Sequence, residues 1–191
     1  MLVDVGAGDG RYVLAVARSR PTTLVIGVEP STDALRRVPR HLARQPLPNA
    51  AFLVEAVERL PSELAGIADE VRVHFPWGAL LRGCVGGDDS VLAALAALVK
   101  SGGDLTLLLS LIERDAPSRA PSSLGLSGPL DDQRVTRIEQ AFGRHGLGMR
   151  ESRPATWEDV REARLSWGKR LGVGVTRPGS LLRFRRSPAR P

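Results

Sequence analysis

The chain is predicted to be a single α/β domain built on a mainly parallel, seven-stranded sheet with helices on both faces. Three observations predict it. A short apolar run, Met1-Leu2-Val3, breaks into Asp4-Val5-Gly6-Ala7-Gly8-Asp9-Gly10 and a helical pattern follows at once. A strand that ends in glycines and opens a helix is how such folds bring backbone close to a ligand at the carboxyl end of a sheet. Further along, apolar runs of strand length alternate with segments of helical periodicity, as parallel strands joined by crossover helices require. Finally, 105–112 is a continuous apolar stretch, the signature of a central strand covered on both sides.

The elements follow in order. Tyr12, Val13, Val16 and Ala17 recur at helical spacing and give a first helix that must stop before Pro21. The second strand, 23–28, ends at Glu29. Ser31 or Thr32 can cap the next helix, which carries Leu35, Val38 and Leu42 and which Pro39 bends or splits. Strands are expected at 51–54 and 71–75, a helix at 91–99, and the central strand at 105–112. The stretch 113–129, rich in Ser, Pro and Gly, reads as a loop. Beyond it come a helix over 131–146, a strand over 149–152, a helix over 156–171 and a last strand over 181–184. Trp157, at the start of its helix, is expected to be a packing residue.

Composition narrows the function classes. A chain of 191 residues with 42% hydrophobic content can bury a real core as one domain. Formal charge is +6 and only Lys100 and Lys169 are lysines, so the basic balance is carried by arginine. It favours phosphate-rich partners, although a GC-rich genome that writes arginine for lysine gives the same balance. Cys84 is the single cysteine, and His41, His74 and His145 lie far apart without ligand spacing, so no disulfide framework and no metal are expected. The apolar runs are too short to span a bilayer and no signal peptide precedes the first strand, which makes a cytoplasmic protein without membrane contact the expectation.

The glycine loop suggests its ligand by its charge. A dinucleotide site uses G-x-G-x-x-G and lays a pyrophosphate on the helix N-terminus, where acidic neighbours would repel it. Here the spacing is G-x-G-x-G through Gly6, Gly8 and Gly10, flanked by Asp4 and Asp9. Two carboxylates suit a ligand with cationic groups and no phosphate, and S-adenosylmethionine carries an ammonium and a sulfonium. Glu29, about 20 residues past the glycines, is placed to accept from both ribose hydroxyls. Pro30 follows it. Glu58, after the third strand, can accept from a nucleobase amine while the backbone of Val57 contacts a ring nitrogen. Taken alone, Glu58 is equally well a surface charge.

Two aromatic stretches point to the acceptor. Phe75-Pro76-Trp77-Gly78 follows the fourth strand, the position where methyltransferases of this architecture hold the group to be modified. Enzymes that methylate an exocyclic amine put an acceptor side chain there; this loop offers a flat ring instead. A ring nitrogen with a free lone pair needs orientation rather than a base, and Trp77 can supply it. An indole face also attracts the cation that methylation leaves on a base. Ser166-Trp167 lies in a basic helix end, 164–171. Read separately, Trp167 is a core tryptophan; together with Trp77 it can sandwich one base, at about 1 to 3 kcal/mol of stacking per face.

Four stretches together, 4–10, 56–61, 75–83 and 166–171, resemble the aminoglycoside-resistance 16S rRNA (adenine-N1) methyltransferases of the Kam and Npm type, along essentially the whole chain. The resemblance implies a class I, Rossmann-like S-adenosylmethionine-dependent fold that modifies N1 of adenine 1408 in helix 44 of 16S rRNA in the 30S subunit and blocks kanamycin- and apramycin-type drugs. It implies that Asp4, Gly6, Gly8, Asp9, Gly10, Glu29, Pro30, Val57 and Glu58 hold the cofactor. Trp77 and Trp167, with Phe75 and Ser166 beside them, would hold the flipped adenine, and Arg36, Arg37, Arg40, Arg44, Arg170 and Arg177 would meet the rRNA. Residues 1–191 are then expected to be one methyltransferase domain acting as a monomer; as the sequence begins inside the first strand, either the start codon was assigned late or the family's N-terminal β-hairpin is absent. Two side chains differ from the family pattern: Glu29 stands for the commoner Asp, and Ala79 for a Ser or Thr, so weak cofactor affinity is expected. Alternatives from the residues alone are a methyltransferase for tRNA or a small natural product, and a non-catalytic RNA-binding relative.

Overall fold

The structure, a computed structural model, describes residues 1–110, 130–163 and 179–188. Its seven strands are β1 (Leu2–Val5), β2 (Val25–Val28), β3 (Ala50–Leu53), β4 (Ala68–His74), β5 (Val99–Leu109), β6 (Leu147–Pro154) and β7 (Ser180–Arg186). They form one sheet in the order β3-β2-β1-β4-β5-β7-β6. Every pairing from β3 to β5 is parallel, and β7 runs antiparallel to both of its neighbours. The order reverses between β1 and β4, which is where an open α/β sheet leaves a crevice beyond its strand ends.

The helices are α1 (Arg11–Ser19), α2 (Thr32–Leu35), α3 (Val38–Arg44), α4 (Gly78–Gly86), α5 (Asp89–Leu98), α6 (Asp132–Gly143) and α7 (Trp157–Glu162). α1 buries Tyr12, Val13, Leu14 and Ala17 and stops before Pro21. The Asn49 amide donates to the carbonyls of Ala17, Arg20 and Thr23, closing the end of α1 onto the start of β2. Ser31 caps α2, its hydroxyl accepting from Ala34 N–H at 3.2 Å. Pro39 splits the basic segment as expected, sitting in the first turn of α3, where its missing N–H costs nothing.

Side chains alternate across the sheet. Val3, Val5, Ile26, Val28, Val71, Val73, Leu105 and Leu107 join the main core beneath α4, α5 and α6. Leu2 and Val25 face α1 on the other side, with Tyr12, Val13 and Ala17. There the sheet and the helix approach closely: a Cβ on Gly27 would lie 2.8 Å from Phe52 and 3.0 Å from Val13.

Three expectations need correcting. α4 was not anticipated, because Gly78, Gly83 and Gly86 weaken its helical signal; Gly83 is there because a Cβ would sit 2.6 Å from Val91 of α5, so the glycine lets the two helices touch. β5 begins at Val99 rather than at 105, with an irregular register opposite β4 through the glycine pair. Trp157 is 50% exposed, so it is a surface ring and not a packing residue. The expected loop 113–129 lies outside the described residues, as does the expected helix beyond Ala163.

Candidate active site

The glycine loop leaves β1 through left-handed backbone at Gly6, Gly8 and Gly10, with φ of 78°, 54° and 74°. At Gly10 the need for glycine is double, since a Cβ would also lie 2.8 Å from both Phe52 and Val38. Gly8 is different: nothing lies within 4 Å of its missing Cβ, so its backbone faces open space. The loop is tied to the second strand by Gly6 N–H and Ala7 N–H, which both donate to the Val28 carbonyl, at 2.8 and 3.0 Å.

Glu29 is 6% exposed and holds two neighbours in place. One carboxylate oxygen accepts from Gly8 N–H and the other from Ser31 N–H, each at 3.0 Å. The side chain therefore links the glycine loop to the start of α2 and keeps a lone pair on each oxygen for a further donor. Asp9 pairs with Arg11, whose Nε lies 3.2 Å away.

Between these elements opens a crevice of about 100 Å³. Val5, Gly6, Val28 and Pro30 form one wall, Glu55, Ala56, Val57 and Glu58 a second, and Ala79 and Leu80 a third. Of the residues singled out in the sequence, Gly6, Pro30, Val57 and Glu58 meet here; Glu29, bonded to Gly8, precedes Pro30, but Glu29 and Gly8, like Asp4, Asp9 and Gly10, do not line the crevice. Glu55 was missed. Its carboxylate accepts from Ala56 N–H at 2.9 Å and from Arg59 Nε at 2.7 Å, and these bonds hold it below the usual carboxylate range. The signal was available, since Glu55 stands just past the third strand, where ligands of such sheets bind.

The loop after β4 carries a strained turn. Phe75 has φ of 46°, the one non-glycine in left-handed backbone among the described residues. Such a conformation costs about 1 to 3 kcal/mol and persists only where its surroundings enforce it. Here Phe75 N–H donates to the Leu108 carbonyl at 2.7 Å, and the ring is buried with Leu108, Val160, Ala163 and Leu181. Phe75 thus belongs to the core rather than to the surface of the crevice. Two residues on, Trp77 is 71% exposed at the cap of α4, immediately before the crevice wall at Ala79 and Leu80.

Asp4 lies under the loop, 1% exposed, with Oδ1 3.6 Å from Nδ1 of His74. Burial raises its carboxyl to about 7, Arg72 opposes that shift and Glu29 adds to it. The same burial, helped by Arg72, lowers His74 to about 3. Arg36, Arg37, Arg40 and Arg44 are all exposed on the α2–α3 segment that follows β2. Ser166, Trp167, Arg170 and Arg177 lie outside the described residues. Among the described residues no group of three or more His, Cys, Asp or Glu is arranged to hold a metal ion, and no helix is long and apolar enough to cross a membrane.

The chain matches the family model described as "NpmA: 16S rRNA (adenine(1408)-N(1))-methyltransferase" over residues 1–184. It is 30% identical over 175 residues to the 16S rRNA (adenine(1408)-N(1))-methyltransferase of Streptoalloteichus tenebrarius, covering 90% of this chain and 80% of that one. Among solved structures it is similar to a variant of the enzyme of the same name from Catenulisporales acidiphilia with its cosubstrate SAM, at a TM-score of 0.83 and 31% identity over all of this chain and 87% of that one. It is similar also to the aminoglycoside resistance methyltransferase NpmB1, at 0.75 and 35% over 97% and 86%. With a glycine-loop crevice at the switch point of a seven-stranded sheet and a family match along nearly its whole length, the chain belongs to the 16S rRNA (adenine(1408)-N(1))-methyltransferase family.

Proposed function

We propose that the protein uses S-adenosylmethionine to methylate N1 of adenine 1408 in helix 44 of 16S rRNA within the 30S subunit, and that this protects the ribosome from kanamycin- and apramycin-type aminoglycosides. The observation that carries the reading is the turn after β4, which buries Phe75 under strain and leaves Trp77 71% exposed beside the crevice of a chain belonging to this family. The protein works as a monomer in the cytoplasm.

The residues present fit the cofactor. The crevice has an apolar lining at Val5, Val28, Val57 and Leu80, open glycine backbone behind it, and carboxylates at Glu29, Glu55 and Glu58 around it. Gly6, Gly8, Glu29 and Pro30 would hold its ribose and methionine parts, Val57 and Glu58 its adenine, and Asp4 and Asp9 its cationic end. When bound, S-adenosylmethionine supplies a methyl group activated by a sulfonium.

The chain's own task is placement. N1 of adenine has a free lone pair, so no residue need remove a proton; Trp77 and Trp167 stack the extruded base and orient that lone pair. Each stacking face is worth about 1 to 3 kcal/mol, comparable to the cost of extruding a base. The indole of Trp77 also stabilises the positive charge left on the methylated ring. Arg36, Arg37, Arg40 and Arg44, with Arg170 and Arg177, contact phosphates and set the register of docking.

The test is reverse transcription across helix 44 of 30S subunits treated with protein and cofactor. A stop at adenine 1408 is expected, because N1 methylation blocks pairing. Trp77→Ala should lower kcat/KM by about 5- to 150-fold, the equivalent of one stacking face. Arg40→Glu should weaken 30S binding and flatten its salt dependence. Methylation of tRNA but not of 30S particles, or RNA binding without turnover, would overturn the reading.

A further inference from the structure

On the α1 side of the sheet, at the carboxyl ends of β1 and β4, Nε of Arg72 and two facing atoms are sealed from solvent without a hydrogen-bond partner, the two being Oδ1 of Asp4 and Nδ1 of His74. They face each other at 3.6 Å, and the two side chains are 2% and 9% exposed. An unsatisfied buried acceptor and an unsatisfied buried donor are each costly, so a fold that places them opposite one another gains by pairing them. Closing the gap to a hydrogen bond takes a shift of about 0.5 Å.

The geometry points to His74 as a positioning residue for Asp4: its neutral imidazole donates from Nδ1 to Oδ1, which holds the carboxylate ionised and aimed for the cationic end of the cofactor. This inference rests on the reading of the crevice as an S-adenosylmethionine site. It adds a residue outside the crevice lining: neither His74 nor Asp4 lines the cavity, and His74 acts through Asp4, which directly precedes the lining residues Val5 and Gly6.

The surroundings leave His74 few other roles. The ring of Tyr12, from α1, meets the imidazole edge to face with centroids 4.5 Å apart, which fixes the ring plane. Arg72, on β4, is engaged by Thr106 and Glu70 and places its positive charge near both members of the pair, opposing a second positive charge on the imidazole. Glu29, at the end of β2, adds a negative charge on the Asp4 side. Arg20, paired with Glu70 at 2.7 Å, completes the charged groups around the cluster. With burial and Arg72 both resisting imidazolium, the neutral ring is the form that faces Asp4, and a carboxyl lifted to about 7 by burial is the group most in need of a donor to ionise at neutral pH.

The consequence is a pH dependence of cofactor affinity that His74 sets. Calorimetric titration of the full chain with S-adenosylmethionine from pH 5.5 to 9 should show affinity falling as the pH drops through about 7, where Asp4 takes up a proton. His74→Leu should move that midpoint up by about one pH unit, weakening binding about fivefold at pH 7 and about tenfold by pH 6 while sparing it at pH 9. His74→Gln, which keeps an N–H donor, should return the midpoint toward the wild-type value. A merely structural histidine would instead lose affinity equally at every pH. Should the variants fold poorly, long-range proton–nitrogen correlation on the wild-type protein, which has three histidines, reads the tautomer directly: Nδ1–H on His74 supports the pairing and Nε2–H overturns it. A wild-type midpoint in His74→Leu also overturns it. Asp4→Asn separates the two levels, since unchanged cofactor affinity there would sink the cofactor reading of Asp4 itself, whereas lost affinity with an unshifted His74→Leu would sink only the role of His74.

Discussion

On one face of β1 and β4 stand Val3, Val5, Val71 and Val73, none more than 2% exposed and all packed into the main core with Leu92, Leu95 and Leu105. On the other face the same two strands present Asp4, Glu70, Arg72 and His74, flanked by α1 on one side and by the cluster of Phe75, Val160 and Leu181 on the other. One face is dry hydrocarbon; the other, partly open to solvent at Glu70 and Arg72, is a chain of charges in which Arg72 reaches Thr106 and Glu70, and Asp4 looks at His74. The apolar face stabilises in proportion to the area it removes from water and tolerates no charge. The polar face contributes little net stability, because paired buried charges roughly offset their own desolvation. Its position at the strand ends below the glycine loop ties it to the ligand crevice.

Exchanging the character of one position should have opposite results on the two faces. Val73→Asp puts a carboxylate among valines and leucines with no partner, and the loss should exceed about 4 kcal/mol, enough to abolish folding. Loss of the far-UV helical signal would show it. A folded Val73→Asp protein would mean that the dry face is wetter than its packing implies.

Next in size is a pH effect that separates the two halves of the polar pair. His74 is lowered from 6.5 to about 3, so the unfolded chain binds its proton first, and the stability this site contributes is lost as pH falls through that window. Asp4 is raised from 3.8 to about 7, so the folded chain holds that proton longer, and stability is lost as pH rises from about 4 to 7. Between pH 4 and 6.5 the two slopes oppose and largely cancel. His74→Leu removes one of them. Urea unfolding across that range should show the variant losing stability relative to wild type with rising pH, by a little over 1 kcal/mol per unit. Parallel pH profiles for the two proteins would show that the sites do not titrate as a compensating pair.

Arg72→Met probes the same face with a smaller effect. It leaves Thr106 without its guanidinium partner and Glu70 with Arg20 alone, and should cost about 1 to 3 kcal/mol. It also removes the cation that opposes the upward shift of Asp4, so the carboxyl should titrate higher still. Carbon-detected NMR titration of the Asp4 carboxyl would read that shift, and an unmoved Asp4 would place Arg72 outside the pair's field.

What was legible in the sequence divides along the same line. The order of elements, the glycine loop, Glu29 and the proline break before α3 were readable because they are local: apolar spacing, left-handed glycines and a missing N–H leave marks within a few residues. The facing of Asp4 and His74 was not, since His74 reads as an isolated histidine until register sets β1 against β4. Sequence proximity groups Phe75 with Trp77 as a site aromatic; only the left-handed turn reveals that neighbouring rings have opposite fates, one buried in the core and one exposed. α4 escaped notice because its glycines serve a contact with Val91 that no local pattern announces. Residue type alone points Trp157 to packing, whereas the helix that carries it buries Val160 instead.

The smallest effect expected is at the cap of α7, the helix that seats Phe75. Thr156 and Asp159 form a reciprocal capping box, and Asp159 also takes Arg153 through two bonds of 2.6 and 2.9 Å, which hold its carboxyl down at about 2. Thr156→Ala removes one hydroxyl from that set and leaves the Arg153 pairing intact, so the loss should be about 1 kcal/mol, or 2 to 4 °C in Tm for a chain of this size. Because Val160 and Ala163 pack against the Phe75 ring, a frayed α7 loosens the surroundings that enforce the strained turn. In a background carrying Trp157→Phe and Trp167→Phe, Trp77 fluorescence should therefore broaden or shift in Thr156→Ala while the main core, whose cluster includes no α7 residue, unfolds with unchanged cooperativity. An unaltered Tm together with unaltered emission would mean that the turn at Phe75 is held by the Leu108 hydrogen bond alone and owes nothing to the helix above it.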